Sequence, residues 1–198
     1  MNLQEHIRRI LKEETEGIPS FLNELSNSFS ISDELKDEVV KFIEESNCKK
    51  IEFSNFKMPV LGLALHNVVL INKQVLSRNL EFALFVIFHE TAHQYQFKKY
   101  GEDIMYQCYL GELPIEDASK FMKNTEEVAD EFAGRKIRQL QKKDLISKNF
   151  RALQMYKNIP LQQVMMMVSQ HKLQLNRMNI NSPEKVSEYF YNMVKGDL

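Results

Sequence analysis

The residues of this 198-residue chain whose types and spacing could do chemistry are His89, Glu90 and His93. On an α-helix, positions i and i+4 lie one turn apart on one face, so the two imidazoles project together. That spacing lets two neutral ring nitrogens reach one zinc ion at ~2.0–2.1 Å. Glu90 lies beside the pair, where a carboxylate can take a proton from a zinc-bound water and pass it to a leaving nitrogen. Zinc brings the pKa of such a water toward ~7, so a hydroxide equivalent is available at neutral pH. The chemistry these residue types suit is hydrolysis of an amide bond.

A catalytic zinc normally has three protein ligands and one open position. The third is expected downstream, on an element packed against the first helix. Glu126-Glu127-Val128-Ala129-Asp130-Glu131-Phe132-Ala133 is the candidate segment. If Glu126 is the ligand, Asp130 lies one turn on and can hold the outer nitrogen of a ligand histidine. Glu127 with Glu131 has the same geometry, and spacing alone leaves both pairs open. A charge run of this kind also serves simply as a solvated helix face. Ala129 and Ala133 would let two helices approach closely.

These residues need an element that holds them still. Glu81 to Phe88 precedes the motif without a helix breaker and is too apolar for a surface helix. Two histidines and a glutamate buried on such a helix are costly unless a metal or a network satisfies them. The expected helix runs from about Asn79 to Tyr100 and is closed by Gly101. Before it, Ser32 reads as the N-cap of a helix to about Glu45 with Leu35, Val39, Phe42 and Ile43 inward. Lys50–Phe56 and Leu63–Asn72 read as two strands. After it, Glu102 to Pro114 is the least regular stretch and a candidate to gate a cleft. Further helices are expected from Ile115 to about Leu145, from near Pro160, and from Ser182-Pro183 to near Gly196. At the N-terminus, Leu3, Ile7, Ile10 and Leu11 share a helical face until Gly17 and Pro19 break the pattern. The fold class expected is α+β: one mostly helical domain over 1–198 with a small sheet beside the motif helix, residues 1–18 forming an N-terminal appendage.

The segment Glu126-x-x-Ala129-Asp130-x-Phe132-Ala133, following His89-Glu90-x-x-His93, resembles the gluzincin branch of zinc metallopeptidases. It is similar to the E-x-x-A-[DN]-x-F-A signature of ImmA/IrrE-type minimal gluzincins, although Ala92 stands where that family usually has glycine. The resemblance covers roughly Leu63 to Leu140. It implies a zincin-like fold, Zn2+ as cofactor, ligands His89, His93 and Glu126 (rather than Glu127), and Glu90 as general base. It also implies that Val68–Asn72 is the edge strand that lines the cleft and pairs with an extended protein or peptide substrate. Related enzymes stabilise the oxyanion of the intermediate with a residue beyond the motif. Tyr106, Tyr109, Tyr156 and His171 are available for that here, with His171 the catalytic candidate and His66 a weaker one. A lone histidine on a helix also serves as an ordinary core residue, and the run Met165-Met166-Met167 as core filling.

Composition narrows the rest. Hydrophobic residues at 43% and charged residues at 27% give an ordinary globular balance. A formal net charge of -1 provides no bulk attraction for nucleic acid or an anionic membrane. The longest apolar run, Phe82 to Phe88, falls far short of the ~20 residues needed to span a bilayer. Cys48 and Cys108 lack any ligand spacing and read as reduced thiols of a cytoplasmic protein. The function expected is zinc-dependent endopeptidase. The alternatives are a non-catalytic zinc-binding interaction domain and a metal-free helical interaction protein. Neither substrate nor oligomeric state is legible.

Overall fold

The computed structural model describes residues 17–110, 112–156 and 158–196. The helical face expected from Leu3, Ile7, Ile10 and Leu11 lies outside the described residues. The fold is a mostly helical α+β arrangement with one small mixed sheet, as the composition and periodicity lead one to expect.

Gly17 and Pro19 lie in the first turn of a helix, α1 (Gly17–Ser28). Proline is harmless in a first turn, where its missing N–H would have no partner anyway. Helix α1 buries Phe21 and Leu25, and Phe21 stacks on Phe53 with ring centroids 4.6 Å apart. Ser32 caps α2 (Asp33–Glu45) by accepting from the Leu35 amide at 3.2 Å. The predicted inward set Leu35, Val39, Phe42 and Ile43 is buried.

Strands β1 (Lys50–Ser54), β2 (Gly62–Leu65) and β3 (Val68–Asn72) form a sheet in the order β1-β3-β2. β1 runs parallel to β3 and β2 antiparallel to it. The single strand expected over Leu63–Asn72 is therefore a hairpin. Its two-residue turn is His66-Asn67, and Asn67 adopts φ 64, a left-handed conformation that asparagine tolerates better than most residues. The consequence is topological: Val68–Asn72 is the central strand, and β1 and β2 are the edges. By the two-residue alternation of strands, Val69 and Ile71 enter the main core while Leu70 meets Val194 on the other face.

A 3-10 turn (Lys73–Ser77) leads into α3 (Leu80–Tyr100), capped by Asn79 accepting from the Phe82 amide at 2.8 Å. Every residue from Ala83 to Phe88 is buried, so α3 is the spine of the molecule rather than an amphipathic surface helix. Gly101 closes it at φ 87, and α4 (Glu102–Leu110) starts at once. The stretch expected to be irregular is thus helical. Nine residues that bury Met105, Tyr106 and Cys108 are too few for their periodicity to stand out in sequence.

Helix α5 (Ile115–Lys142) runs unbroken past Asn124 and packs along α3. Helices α6 (Leu161–Arg177) and α7 (Pro183–Lys195) follow, the latter capped by Ser182 with Pro183 in its first turn. Pro160 is the N-cap of α6 rather than its first helical residue. Phe97, Tyr106, Leu175, Val186 and Phe190 build a second apolar cluster from α3, α4, α6 and α7. Among the described residues, no helix is long and apolar enough to cross a membrane.

Candidate metal centre

Two helices meet at the site. α3 presents His89 and His93 one turn apart, and α5 presents Glu126 opposite them. The close approach follows from residue size, because Ala129 and Ala133 on the facing side of α5 are both fully buried. One donor atom from each of the three residues lies within 4.8 Å of the others. The nearest nitrogens of the two imidazoles, both Nε2, are 3.3 Å apart. Glu126 sets Oε2 at 3.3 Å from His89 Nε2 and Oε1 at 3.4 Å from His93 Nε2.

Those spacings can be tested against a metal. A tetrahedron whose corners lie ~2.0–2.1 Å from its centre, the zinc distance for nitrogen and carboxylate donors, has edges of ~3.3–3.4 Å. All three contacts have that length. The carboxylate meets each ring with a different oxygen, so it can bind through one or both. A two-His, one-carboxylate set with an open position is also the donor chemistry of catalytic zinc. The residues fit the ion.

The outer ring nitrogens are held as well. His89 Nδ1 lies 2.9 Å from Asp130 Oδ1, which places the acid one turn beyond Glu126 where sequence spacing put it. Asp130 is buried. His93 Nδ1 lies 2.7 Å from Gln96 Oε1, and Gln96 Nε2 donates to the Thr125 carbonyl at 2.7 Å. Burial disfavours a charge on His89, but its hydrogen bonds with Asp130 and Glu126 and the charges of Glu90 and Glu126 outweigh burial. Taken with the protein's own groups alone, they raise its imidazole from 6.5 to about 10. The cluster calls for positive charge at this point, which a proton or a divalent cation supplies.

Glu127 points elsewhere. It pairs with Lys123 at 2.6 Å, and Lys123 also donates to the Ile159 carbonyl at 3.1 Å, tying α5 to the segment before α6. The geometry therefore brings Glu126, and not Glu127, to the imidazoles.

The three-residue set opens on a cavity of ≈ 370 Å³. One wall is the whole of β2, and others include Phe85 of α3, Met122 of α5, Val168 of α6 and Phe190 of α7. Glu90 lines it under β2. A β-carbon on Gly62 would fall 2.3 Å from Glu90 Cγ, so only glycine lets the strand come this close to the carboxylate. Gln94 fastens the other end of the hairpin, donating to the Leu65 carbonyl at 2.7 Å and accepting from the Asn67 amide at 2.9 Å.

His171 lines the same cavity. Its Nδ1 is buried without a hydrogen-bond partner among the described residues, and burial lowers its pKa, keeping the ring neutral near pH 7. Tyr109 stands against it, centroids 5.8 Å apart and nearly perpendicular. Burial, and next the charge of Glu126, push the Tyr109 phenol up. Tyr106 is engaged away from the cluster, accepting from the His66 amide at 3.3 Å. Tyr156 turns its hydroxyl onto Gly134 of α5. His66 pairs with Glu102 at 2.6 Å and is not among the cavity-lining residues.

Sequence reasoning missed Gln94, Gln96 and Gly62. The glutamines did leave a signal: two amides on a helix expected to be buried need partners, just as the histidines do. Gly62 left none, since a lone glycine does not disclose what approaches it. No family model matches the chain, and neither a curated protein nor a solved structure matches it.

Proposed function

We propose that this protein is a zinc-dependent endopeptidase of the gluzincin type, acting on protein or peptide substrates. The observation that carries the reading is the convergence of donor atoms of His89, His93 and Glu126 within 4.8 Å of one another, open to a cavity that also holds Glu90. Zinc bound there would supply Lewis acidity, acidifying a water and polarising a carbonyl oxygen.

The chain's own groups do the rest. Glu90, held under Gly62, takes the proton of the attacking water and delivers it to the leaving nitrogen. Asp130 and Gln96 keep the protons of His89 and His93 on Nδ1, so each ring turns Nε2 toward Glu126. His171 and Tyr109 are the neutral donors on the far wall, and His171 donates to the oxygen that gains charge as the carbonyl is attacked. Edge strand β2 offers its backbone to an extended substrate, which would add to the sheet beside Glu90. The buried free thiols Cys48 and Cys108 support a reducing, cytoplasmic setting.

The test is to purify the protein without chelator, measure zinc, and compare peptide cleavage with that of Glu90→Gln. The expected result is stoichiometric zinc in both and cleavage reduced by ~10²–10⁴-fold in the variant. Zinc retained with no cleavage by the native protein of any peptide in a degenerate library would instead support a non-catalytic metal domain. Protein without zinc under every loading condition sinks both readings.

A further inference from the structure

We propose that Gln96 is a positioning residue that decides which nitrogen of His93 carries the proton and ties that choice to the helix bearing Glu126. The proposal rests on the reading of His93 as a metal ligand.

The Thr125 main-chain carbonyl can only accept, and it lies 2.7 Å from the Gln96 amide. The amide must therefore turn its NH2 to Thr125, which leaves Oε1 facing His93. That oxygen can only accept, so His93 Nδ1, 2.7 Å away, must be the protonated ring atom. Its Nε2 then presents a lone pair toward His89 and Glu126. One backbone carbonyl thus sets an amide, the amide sets a tautomer, and the tautomer sets the ligand atom.

Burial makes this chain strict. Gln96 is 4% exposed and His93 6%, so water cannot substitute for either bond. Thr125 directly precedes Glu126, so the same side chain joins a ligand on α3 to the backbone beside the ligand on α5. The two histidines are held differently. His89 leans on a carboxylate, Asp130, whereas His93 leans on an amide that holds no proton of its own to lose near neutrality. Gln96 is i+3 from His93, so the whole device sits within one helical turn.

Two measurements test it. In the native protein stripped of metal, a long-range 1H–15N correlation spectrum of the imidazoles should show His93 as the Nδ1–H tautomer; an Nε2–H tautomer overturns the proposal. Gln96→Met keeps the volume and removes both bonds, whereas Gln96→Glu keeps an acceptor for His93. Cobalt and zinc affinity, measured by chelator competition, should fall ~10–100-fold in Gln96→Met with an altered cobalt d–d spectrum. In Gln96→Glu the Nδ1–H tautomer and most of the affinity should return. If Gln96 only packs two helices, both variants lose thermal stability while tautomer and metal affinity stay native, and the proposal fails. If Gln96→Met does not fold, the native and Gln96→Glu spectra decide. Native protein that binds neither metal would end the metal-ligand reading, while the tautomer in the stripped protein would still report on Gln96.

Discussion

At the scale of single residues, the proposed function separates the groups that would hold a metal from the one that would use it. His89, His93 and Glu126 supply donors, whereas Glu90 is kept in place by a contact that any side chain at position 62 would disturb. Gly62→Ala should therefore leave zinc content at the native level and reduce peptide cleavage, because a β-carbon 2.3 Å from Glu90 Cγ forces the carboxylate to move. Metal analysis beside a cleavage assay reads both; loss of zinc in this variant would show that Gly62 shapes the ligand set instead. Glu126 and Glu127 give a sharper contrast. Glu126→Gln should lower zinc affinity measurably, while Glu127→Gln should leave it unchanged and remove only the Lys123 pair at the surface. Equal affinities in the two variants would contradict the assignment.

At the scale of elements, the site depends on how closely α3 and α5 lie. Ala133 is fully buried in the main core, beside Ile137 and Leu140. Ala133→Leu adds three carbons where no space is left, and overpacking of this kind costs about 1–3 kcal/mol. Urea unfolding should record that loss, and chelator competition should show weaker zinc binding as the helices separate. A variant as stable and as tight-binding as the native protein would mean that the helix spacing is set elsewhere. Helix α2 is clamped to the same helix by charge. Glu38 accepts from Lys136 at 2.8 Å and from Lys143 at 2.5 Å, bonds that hold its carboxyl down at about 2, below its ordinary 4.5. A carboxyl whose pKa is depressed on folding stabilises above its unfolded pKa, and that contribution is lost as pH falls. Stability should thus decline between about pH 4.5 and about pH 2, and Glu38→Gln should flatten that part of the profile in thermal unfolding.

At the scale of the whole molecule, the cavity is a joint between apolar clusters. The main core of α1, α2, the sheet, α3 and α5 supplies Phe85 and Val86, and the clusters on α4, α6 and α7 supply Tyr106, Val168 and Phe190. A cation that bridges α3 and α5 at that joint binds the folded state and not the unfolded chain. By mass action it adds about 2.7 kcal/mol when free metal is 100 times its dissociation constant. Chelation should accordingly lower the melting temperature, and added zinc should restore it in a concentration-dependent way. A melting temperature indifferent to zinc would count against the site.

What the sequence alone determined was local. His89, Glu90 and His93 could be read because helical spacing converts chain separation into a shared face, and Asp130 followed from Glu126 for the same reason. The caps at Ser32, Asn79 and Ser182 and the buried character of α3 are likewise properties of a few consecutive residues. The first turn of α1 was missed because a proline that breaks a helical pattern also suits the first turn of a new helix, and helix α4 because nine residues are too few for their periodicity to stand out. Spacing left Glu126 and Glu127 open, and only the family resemblance favoured Glu126. Packing turned Glu126 to the rings, put β3 in the centre of the sheet with β2 at the edge beside the cavity, and set Gln96 against His93. The first is a choice between neighbouring positions on one helix, the second depends on how three strands pair, and the third on the Gln96 bond to the Thr125 carbonyl across two helices. Spacing constrains which residues share a face, but only packing settles which face turns inward.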